Sequence, residues 1–571
     1  MTYRWNYSTL SDYQKNKKDE IAKELNLHPI IAELLVNKGL ETKEDIENYL
    51  YPSLDSLHDP FLLPDMDKAV KRIEKALGNK ERILVYGDYD VDGTTAVALV
   101  YKFFRGITSN IDYYIPDRYD EGYGISIQGI DYAVETGVKL IISVDCGIKA
   151  LSKIKYAKEN GIDFIVVDHH VPDSELPDAI AVVDAKRGDS IYPYDELSGC
   201  GVGFKLVQAF SQRNGYPLSE IEHLLDLVAV SVAADIVPLT GENRVMTHFG
   251  LKQLNSNPSY GLRVIIEICG LQRKHITIND IVFKIGPRIN ASGRMMNGKE
   301  AVDLMLANDM TAAREKSKNI DQYNLDRREL DKKITDEAID YIDNNLDVIK
   351  QTSIVLYNEN WHKGIVGVVA SRLSEKYYRP AVVLTKSNDL ISGSARSVPG
   401  FDVYKAIESC RDILENFGGH TYAAGLTLRE ENLEKSKERF NTLSFDGMEP
   451  RMMSPEINVN AEISFSQITP KFLEELELFN PFGPENENPV FLTKNVYDTG
   501  NSRLVGKDQQ HIKLELVDSS SNIYMPGIAF AQHDKFKRIK DGLPVDVCYT
   551  IEENNHGNKS FTQLMVKDIR E

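Results

Sequence analysis

Four short apolar runs, each closed by a charged or glycine-rich turn, constrain this chain more than any other feature. They are Ile83-Leu84-Val85, Tyr113-Tyr114-Ile115, Leu140-Ile141-Ile142-Ser143-Val144 and Phe164-Ile165-Val166-Val167. The runs are rich in β-branched and aromatic residues and do not alternate with polar ones, as expected of strands covered on both faces. Amphipathic stretches of helix length lie between them. The pattern predicts an α/β domain built on a doubly wound, largely parallel sheet, with any ligand at the carboxyl ends of the strands.

Those ends are acidic. Asp88, Asp90 and Asp92, in Asp88-Tyr89-Asp90-Val91-Asp92-Gly93, follow the first run; Asp145 ends the third and Asp168-His169-His170 the fourth. Asp235, in Ala233-Ala234-Asp235-Ile236-Val237-Pro238, follows a long apolar stretch. One Asp after a strand is readily a turn former or a helix cap. Several converging on one rim would repel one another and hold protons unless cations lay between them. Carboxylates and imidazoles without thiolate suit Mn2+ or Mg2+ better than structural zinc. Two such ions about 3.5 to 4 Å apart can activate a water and stabilise a leaving oxygen, so the chemistry predicted is phosphoester hydrolysis.

With 571 residues, 42% hydrophobic and 27% charged, the chain has room for three or four ordinary globular domains and no tract that argues for disorder. Residues 1–75 read as a helical lead-in and wrapping loop, and 76–309 as the acidic α/β domain. Between Met310 and Lys350 there is neither Gly nor Pro, and apolar residues recur at helical spacing, which predicts a rigid connector helix over much of 310–350. Residues 351–450 read as a second α/β domain. From 451 to 571 the pattern alternates, as in Ile457-Asn458-Val459-Asn460-Ala461, which predicts a small antiparallel β-barrel. Five widely spaced cysteines, no secretory signal and no apolar span predict a soluble cytoplasmic protein without a membrane partner. The net charge of -19 argues against nucleic acid on average, so any such binding must be local.

These residues resemble the DHH phosphoesterase superfamily, named for the triplet Asp168-His169-His170. Within it the chain is similar, over nearly its whole length, to the RecJ-type single-strand-specific exonucleases. Further segments that carry the resemblance are Gly286-Pro287-Arg288-Ile289-Asn290-Ala291-Ser292-Gly293-Arg294, Trp361-His362-Lys363-Gly364 and Gly418-Gly419-His420-Thr421-Tyr422-Ala423-Ala424-Gly425. The resemblance implies two metals held by Asp88, Asp90, Asp145, His169 and Asp235. It makes His170 the catalytic neighbour at the scissile phosphate, with Asp92 and Asp168 as further ligands or as groups that orient them. Some relatives carry His two residues before the first motif Asp, where this chain has Tyr86.

By the same resemblance, Arg118, Ser394 and Arg396 form a pocket for a 5′ phosphate, and Arg288, Asn290, Gly418, Gly419 and His420 also touch substrate. The second α/β domain corresponds to the DHHA1-type domain and the barrel to an OB-fold. The implied activity is 5′→3′ hydrolysis of single-stranded DNA to 5′-mononucleotides, in DNA repair and recombination. A 5′ end is the substrate feature, and a single-strand-binding protein and a helicase are the implied partners. The alternatives are a DHH phosphodiesterase of short oligonucleotides or small nucleotides, a manganese pyrophosphatase, and a non-catalytic DNA-binding scaffold.

Overall fold

In the computed structural model, residues 3–7, 9–345, 351–556 and 559–570 are described. They form two compact units: residues 53–447 with 481–486, and residues 1–52, 448–480 and 487–571.

The larger unit opens with the predicted parallel sheet. Its strands are β1 (Arg82–Tyr86), β2 (Ile111–Tyr114), β3 (Val138–Val144), β4 (Asp163–Val167) and β5 (Ala181–Val183). They are all parallel, in the order β2-β1-β3-β4-β5. Alternate residues serve opposite faces, so Ile83, Val85, Ile142 and Val167 enter one apolar core while Leu84, Tyr86, Ile141 and Val166 enter another. Helices α1 (Val91–Arg105), α4 (Gly199–Asn214) and α5 (Leu225–Asp235) supply the first core, and α2 (Ile127–Glu135) and α3 (Leu151–Glu159) the second. The order reverses direction between β1 and β3, and a doubly wound sheet opens its ligand crevice at such a switch point.

A buried ion pair ties the segment before the sheet to α4. Lys205 and Glu242 are both inaccessible and meet at 2.9 Å. Lys205 also donates to the His58 carbonyl at 2.7 Å, and the Tyr192 hydroxyl donates to Glu242.

The connector breaks once. A short helix, Met310–Lys316, is followed by a turn and then by the 26 residues of α7 (Ile320–Asn345), about 39 Å at 1.5 Å per residue. Residues 346–350 of the predicted connector lie outside the described residues. Asp331 of α7 is buried and accepts a two-armed bond from Arg372, at 2.8 and 2.7 Å, which fixes the helix against the second domain.

That domain holds β6 (Ile354–Tyr357), α8 (Val366–Tyr377), β7 (Ala381–Ser387), β8 (Leu390–Arg396), β9 (Asn416–His420) and β10 (Ala423–Leu428). The sheet order is β9-β10-β8-β7-β6, antiparallel except for β6 with β7.

In the smaller unit, five strands close a barrel: β11 (Phe491–Asp498), β12 (His511–Asp518), β13 (Tyr524–Ala529), β14 (Val545–His556) and β15 (Lys559–Arg570). Closure comes from β11 pairing with both β14 and β12. The chain's first residues join this unit through the strand Arg4–Tyr7, which pairs in parallel with Glu456–Val459. Trp5 is buried, donates to Asp568 at 2.7 Å and lies under the Arg570 guanidinium. The lead-in therefore divides near residue 52, its helices going with the barrel and its loop with the parallel sheet.

Lys205→Met should leave the Glu242 carboxylate buried without its cation and cost about 3 to 5 kcal/mol. A lowered melting temperature, largely restored in the Lys205→Met, Glu242→Leu double variant, is the expected calorimetric result.

Candidate active site

The acids reach the cluster by different local devices. Asp90 caps α1, accepting from the Gly93 amide at 3.0 Å. A side chain at Gly93 would run into the Asp88 backbone, so the turn requires that glycine. Asp145 sits past β3 in the left-handed region, at φ 58°, a conformation uncommon outside glycine that turns its carboxylate inward. The N-terminus of α4 approaches so closely that a Cβ at Gly199 would stand 2.6 Å from Asp145. Asp235 reaches the cluster from the end of α5, where Ile236 turns left-handed at φ 60°. It comes from a helix, and not from a strand end as the apolar run before it suggested.

The acids divide by whether their oxygens are occupied. Asp92 accepts from the amides of Gly199 and Cys200 at 2.7 and 2.8 Å and from the Ser231 hydroxyl at 2.6 Å. Asp168 accepts from the Ile148 amide at 3.0 Å, the His169 amide at 2.8 Å and His170 Nδ1 at 2.7 Å. By contrast, both oxygens of Asp88 and Oδ2 of Asp145 are buried with no hydrogen-bond partner. Burial, reinforced by neighbouring carboxylates, pushes Asp88, Asp145 and Asp235 well above the ordinary carboxylate range. Asp90 is raised for the same reasons.

His169 makes the same point. Its Nδ1 donates to the Leu197 carbonyl at 3.1 Å, which leaves Nε2 as a lone pair on the neutral ring. That lone pair faces Asp145 at 3.1 Å, Asp92 at 3.7 Å and Asp235 at 3.8 Å. Burial and the neighbouring His170 pull His169 down to about 4, so it is neutral near pH 7. An imidazole lone pair aimed at carboxylate lone pairs is repulsive unless a proton or a cation lies between them, and the donor set fits a divalent metal. His170 is the opposite: burial disfavours its charge, but Asp168 outweighs this and raises it to about 9. Its Nε2 faces the Tyr123 hydroxyl at 3.3 Å.

The second domain presents a matching face. Gly418, Gly425 and Ser394 are cross-strand partners in one row, and His420, Ala423 and Arg396 in the next row on the same face. His420 stacks on His170, with ring centres 5.7 Å apart, so this face looks onto the parallel sheet's rim. Gly419, at φ 147°, leaves no room for a side chain against Ala423 and Ala424. Arg396 donates to Ser394 at 2.7 Å, and a Cβ at Gly367 would crowd both. Arg118 lies over the Tyr89 ring at 4.8 Å.

A third arginine completes this basic group. Arg294, on α6 (Gly286–Met295), is pulled down to about 9 by burial and by Arg118, Arg396 and Arg327. Arg288 turns elsewhere, bonding Asp321 and the Lys284 carbonyl; Asn290 lies half-buried on the same helix. Six residues along a helix is well short of two full turns, so Arg288 and Arg294 face differently. Sequence reasoning quoted Arg294 within its motif without giving it a role. It also passed over Asp184, which follows β5 as Asp168 follows β4, is fully buried with Oδ2 unpaired, and is pushed up to about 7 by burial and Asp168. The run Ala181-Val182-Val183-Asp184 carries the same signal as the others, only shorter. Tyr86 is no part of the cluster; its hydroxyl donates to Gly124 and Ser126 on the opposite face of the sheet.

Unpaired acids at the carboxyl rim of a doubly wound sheet, faced by a basic glycine-rich second sheet, define the DHH class of phosphoesterase. Accordingly, the DHH family N-terminal domain matches residues 82–232, the DHHA1 domain 350–443 and the RecJ OB domain 459–568. The single-stranded-DNA-specific exonuclease RecJ of Bacillus subtilis is 35% identical over 97% of this chain and 69% of that protein. That of Haemophilus influenzae is 30% identical over 97% of this chain and 98% of that protein. RecJ of Thermus thermophilus, solved in complex with Mn2+ and with Mg2+, superposes with TM-scores of 0.85 and 0.79. Those two structures are 26% and 25% identical and cover 100% of this chain, which spans 80% and 78% of theirs. The chain belongs to the RecJ family of single-stranded-DNA-specific exonucleases.

The raised carboxyls give a signed pH dependence. A group whose folded-state pKa lies above its unfolded value of about 4 stabilises the fold below that value and loses the contribution as pH rises through the folded pKa. In chelator the melting temperature should therefore fall from about pH 4 through 7, the value for Asp184 marking one point in that window. Added Mn2+ should raise the melting temperature more at pH 8 than at pH 5; an equal rise at both would show that the cluster does not release protons to bind metal.

Proposed function

We propose that Asp88, Asp90, Asp145, His169 and Asp235 hold two divalent cations, Mn2+ or Mg2+, and that the chain degrades single-stranded DNA from its 5′ end, releasing 5′-mononucleotides. The observation that carries this reading is the buried, partnerless carboxylate oxygens of Asp88 and Asp145, set against the Arg118, Arg294 and Arg396 group. Bound there, the metals would supply the charge that activates a water and stabilises the leaving oxygen.

The chain's own groups do the rest. Asp92, held by the α4 amides, and Asp168, held by four donors, orient the ligands instead of occupying the centre. His170, protonated at neutral pH, presents a charged N–H at Nε2 to the scissile phosphate. Arg118, Arg396 and Ser394 receive the terminal phosphate, which carries more charge than a diester. Gly418 and Gly419 allow the strand's backbone to approach, with His420 beside the reacting bond. The OB barrel gives the protein a second single-strand surface.

A groove between two sheets admits one strand and no duplex, so it selects by shape and not by base edges. Such an enzyme depends on a helicase and a single-strand-binding protein for its substrate, and its setting is repair and recombination in the cytoplasm. Among the described residues no helix is long and apolar enough to cross a membrane.

Single-stranded DNA labelled at the 5′ end should release labelled mononucleotide at once, while 3′-labelled strands shorten progressively. Asp145→Ala should lower the rate by about a thousandfold and leave DNA binding intact. Release of the 3′ label first, equal digestion of blunt duplex, or faster turnover of pyrophosphate or dinucleotides would overturn the reading.

A further inference from the structure

Arg118 stands on a loop, residues 115–124, that itself contains no helix or strand. A guanidinium that must meet a terminal phosphate needs that loop held still, since each mobile side chain ordered on binding subtracts from affinity. The loop is held from within by Asp117, which accepts from the Tyr119 amide at 2.8 Å and the Asp120 amide at 3.1 Å. On one side Tyr119 docks it by donating to the Arg294 carbonyl at 2.5 Å. On the other side the anchor is Glu121.

The half-buried Glu121 carboxylate accepts from the Asp117 amide at 2.7 Å, the Ser126 hydroxyl at 2.5 Å and the Tyr114 hydroxyl at 3.0 Å. Ser126 in turn caps α2 through the Gly129 amide at 2.9 Å and meets the Tyr86 hydroxyl at 3.2 Å. The loop is thus bolted to strands β1 and β2 and to the start of α2 through one carboxylate. All of these donors are neutral. No second guanidinium or ammonium enters the anchor to compete with Arg118 for a phosphate, and among the described residues Arg118 has no ion pair. Tyr86, buried in the sheet core, contributes its hydroxyl to the same network.

We propose that Glu121 is the positioning residue that sets Arg118 for a 5′ phosphate, and so governs selection of phosphorylated over hydroxyl 5′ ends without taking part in hydrolysis. The inference rests on the end-recognition reading above. The test is steady-state kinetics of the full chain on one single-stranded oligonucleotide carrying either a 5′ phosphate or a 5′ hydroxyl.

The wild type should favour the phosphorylated end. Glu121→Ala should raise KM for that substrate about tenfold, with kcat within about twofold and KM for the hydroxyl end unchanged. Glu121→Gln, which keeps an acceptor oxygen, should recover most of the loss. Tyr114→Phe, which deletes one donor and little volume, should shift the preference in the same direction and decides the matter if Glu121→Ala does not fold. The metal concentration for half-maximal activity should be the same throughout. A phosphate preference unchanged in Glu121→Ala and Tyr114→Phe, or equal losses on both substrates, would overturn the inference while leaving end recognition standing. A wild type indifferent to the 5′ group would remove the end-recognition reading, and the inference with it.

Discussion

Buried carboxylate oxygens with nothing to bond are the constraint on which the rest of this structure depends. Asp88 and Asp145 are enclosed among apolar strands and helices, where an isolated charge is prohibitively costly and a proton or a cation must compensate. The surroundings make this tolerable only at close quarters. Gly93 and Gly199 remove side chains that would collide with Asp88 and Asp145, and the left-handed turn at Asp145 would relax to a commoner conformation if the site did not hold it. The switch point of the sheet is what brings the ends of β1 and β3, and so these two acids, together.

The second sheet is the counterpart of this charge. Its face toward the rim carries Arg396, Ser394 and His420 among glycines and alanines, so cation, hydroxyl and imidazole stand above a backbone that a phosphate chain can approach. The overall charge of -19 therefore does not describe the groove. Acid is concentrated where metal would neutralise it. Base is concentrated around Arg294, whose affinity for its proton is lowered by burial and by the neighbouring Arg118 and Arg396, a strain that a bound anion would relieve.

Local patterns were legible in the sequence, and pairings distant along the chain were not. Unalternating apolar runs announced the parallel sheet because both of its faces are buried, and the acids at the ends of those runs announced the site. Nothing near Arg4–Tyr7 shows that it will pair with Glu456–Val459, more than 400 residues away, so residues 1–75 read as one lead-in segment with no link to the barrel. Asp235 read as another strand end because a helix buried all round has no amphipathic period to distinguish it from a strand. The turn that breaks the connector before Ile320 contains neither Gly nor Pro, and so left no mark.

The order of the triplet has its own logic. Asp168 comes first because its Oδ1 takes the amides of both following histidines as well as His170 Nδ1, so one carboxylate sets the backbone turn and one ring. The next side chain, His169, points inward to the Leu197 carbonyl and loses its charge to burial; the one after points outward and keeps its charge through Asp168. Adjacent residues of one type thereby acquire opposite protonation at the same pH. In the proposed centre this offers a lone pair to metal and an N–H to phosphate, within 4.6 Å between ring centres. Exchanging Asp168 for Asn would weaken this division at its source. His170 would lose the charge that keeps it protonated, and on the proposed reading the centre would keep its five metal ligands while losing the imidazolium set beside the scissile phosphate.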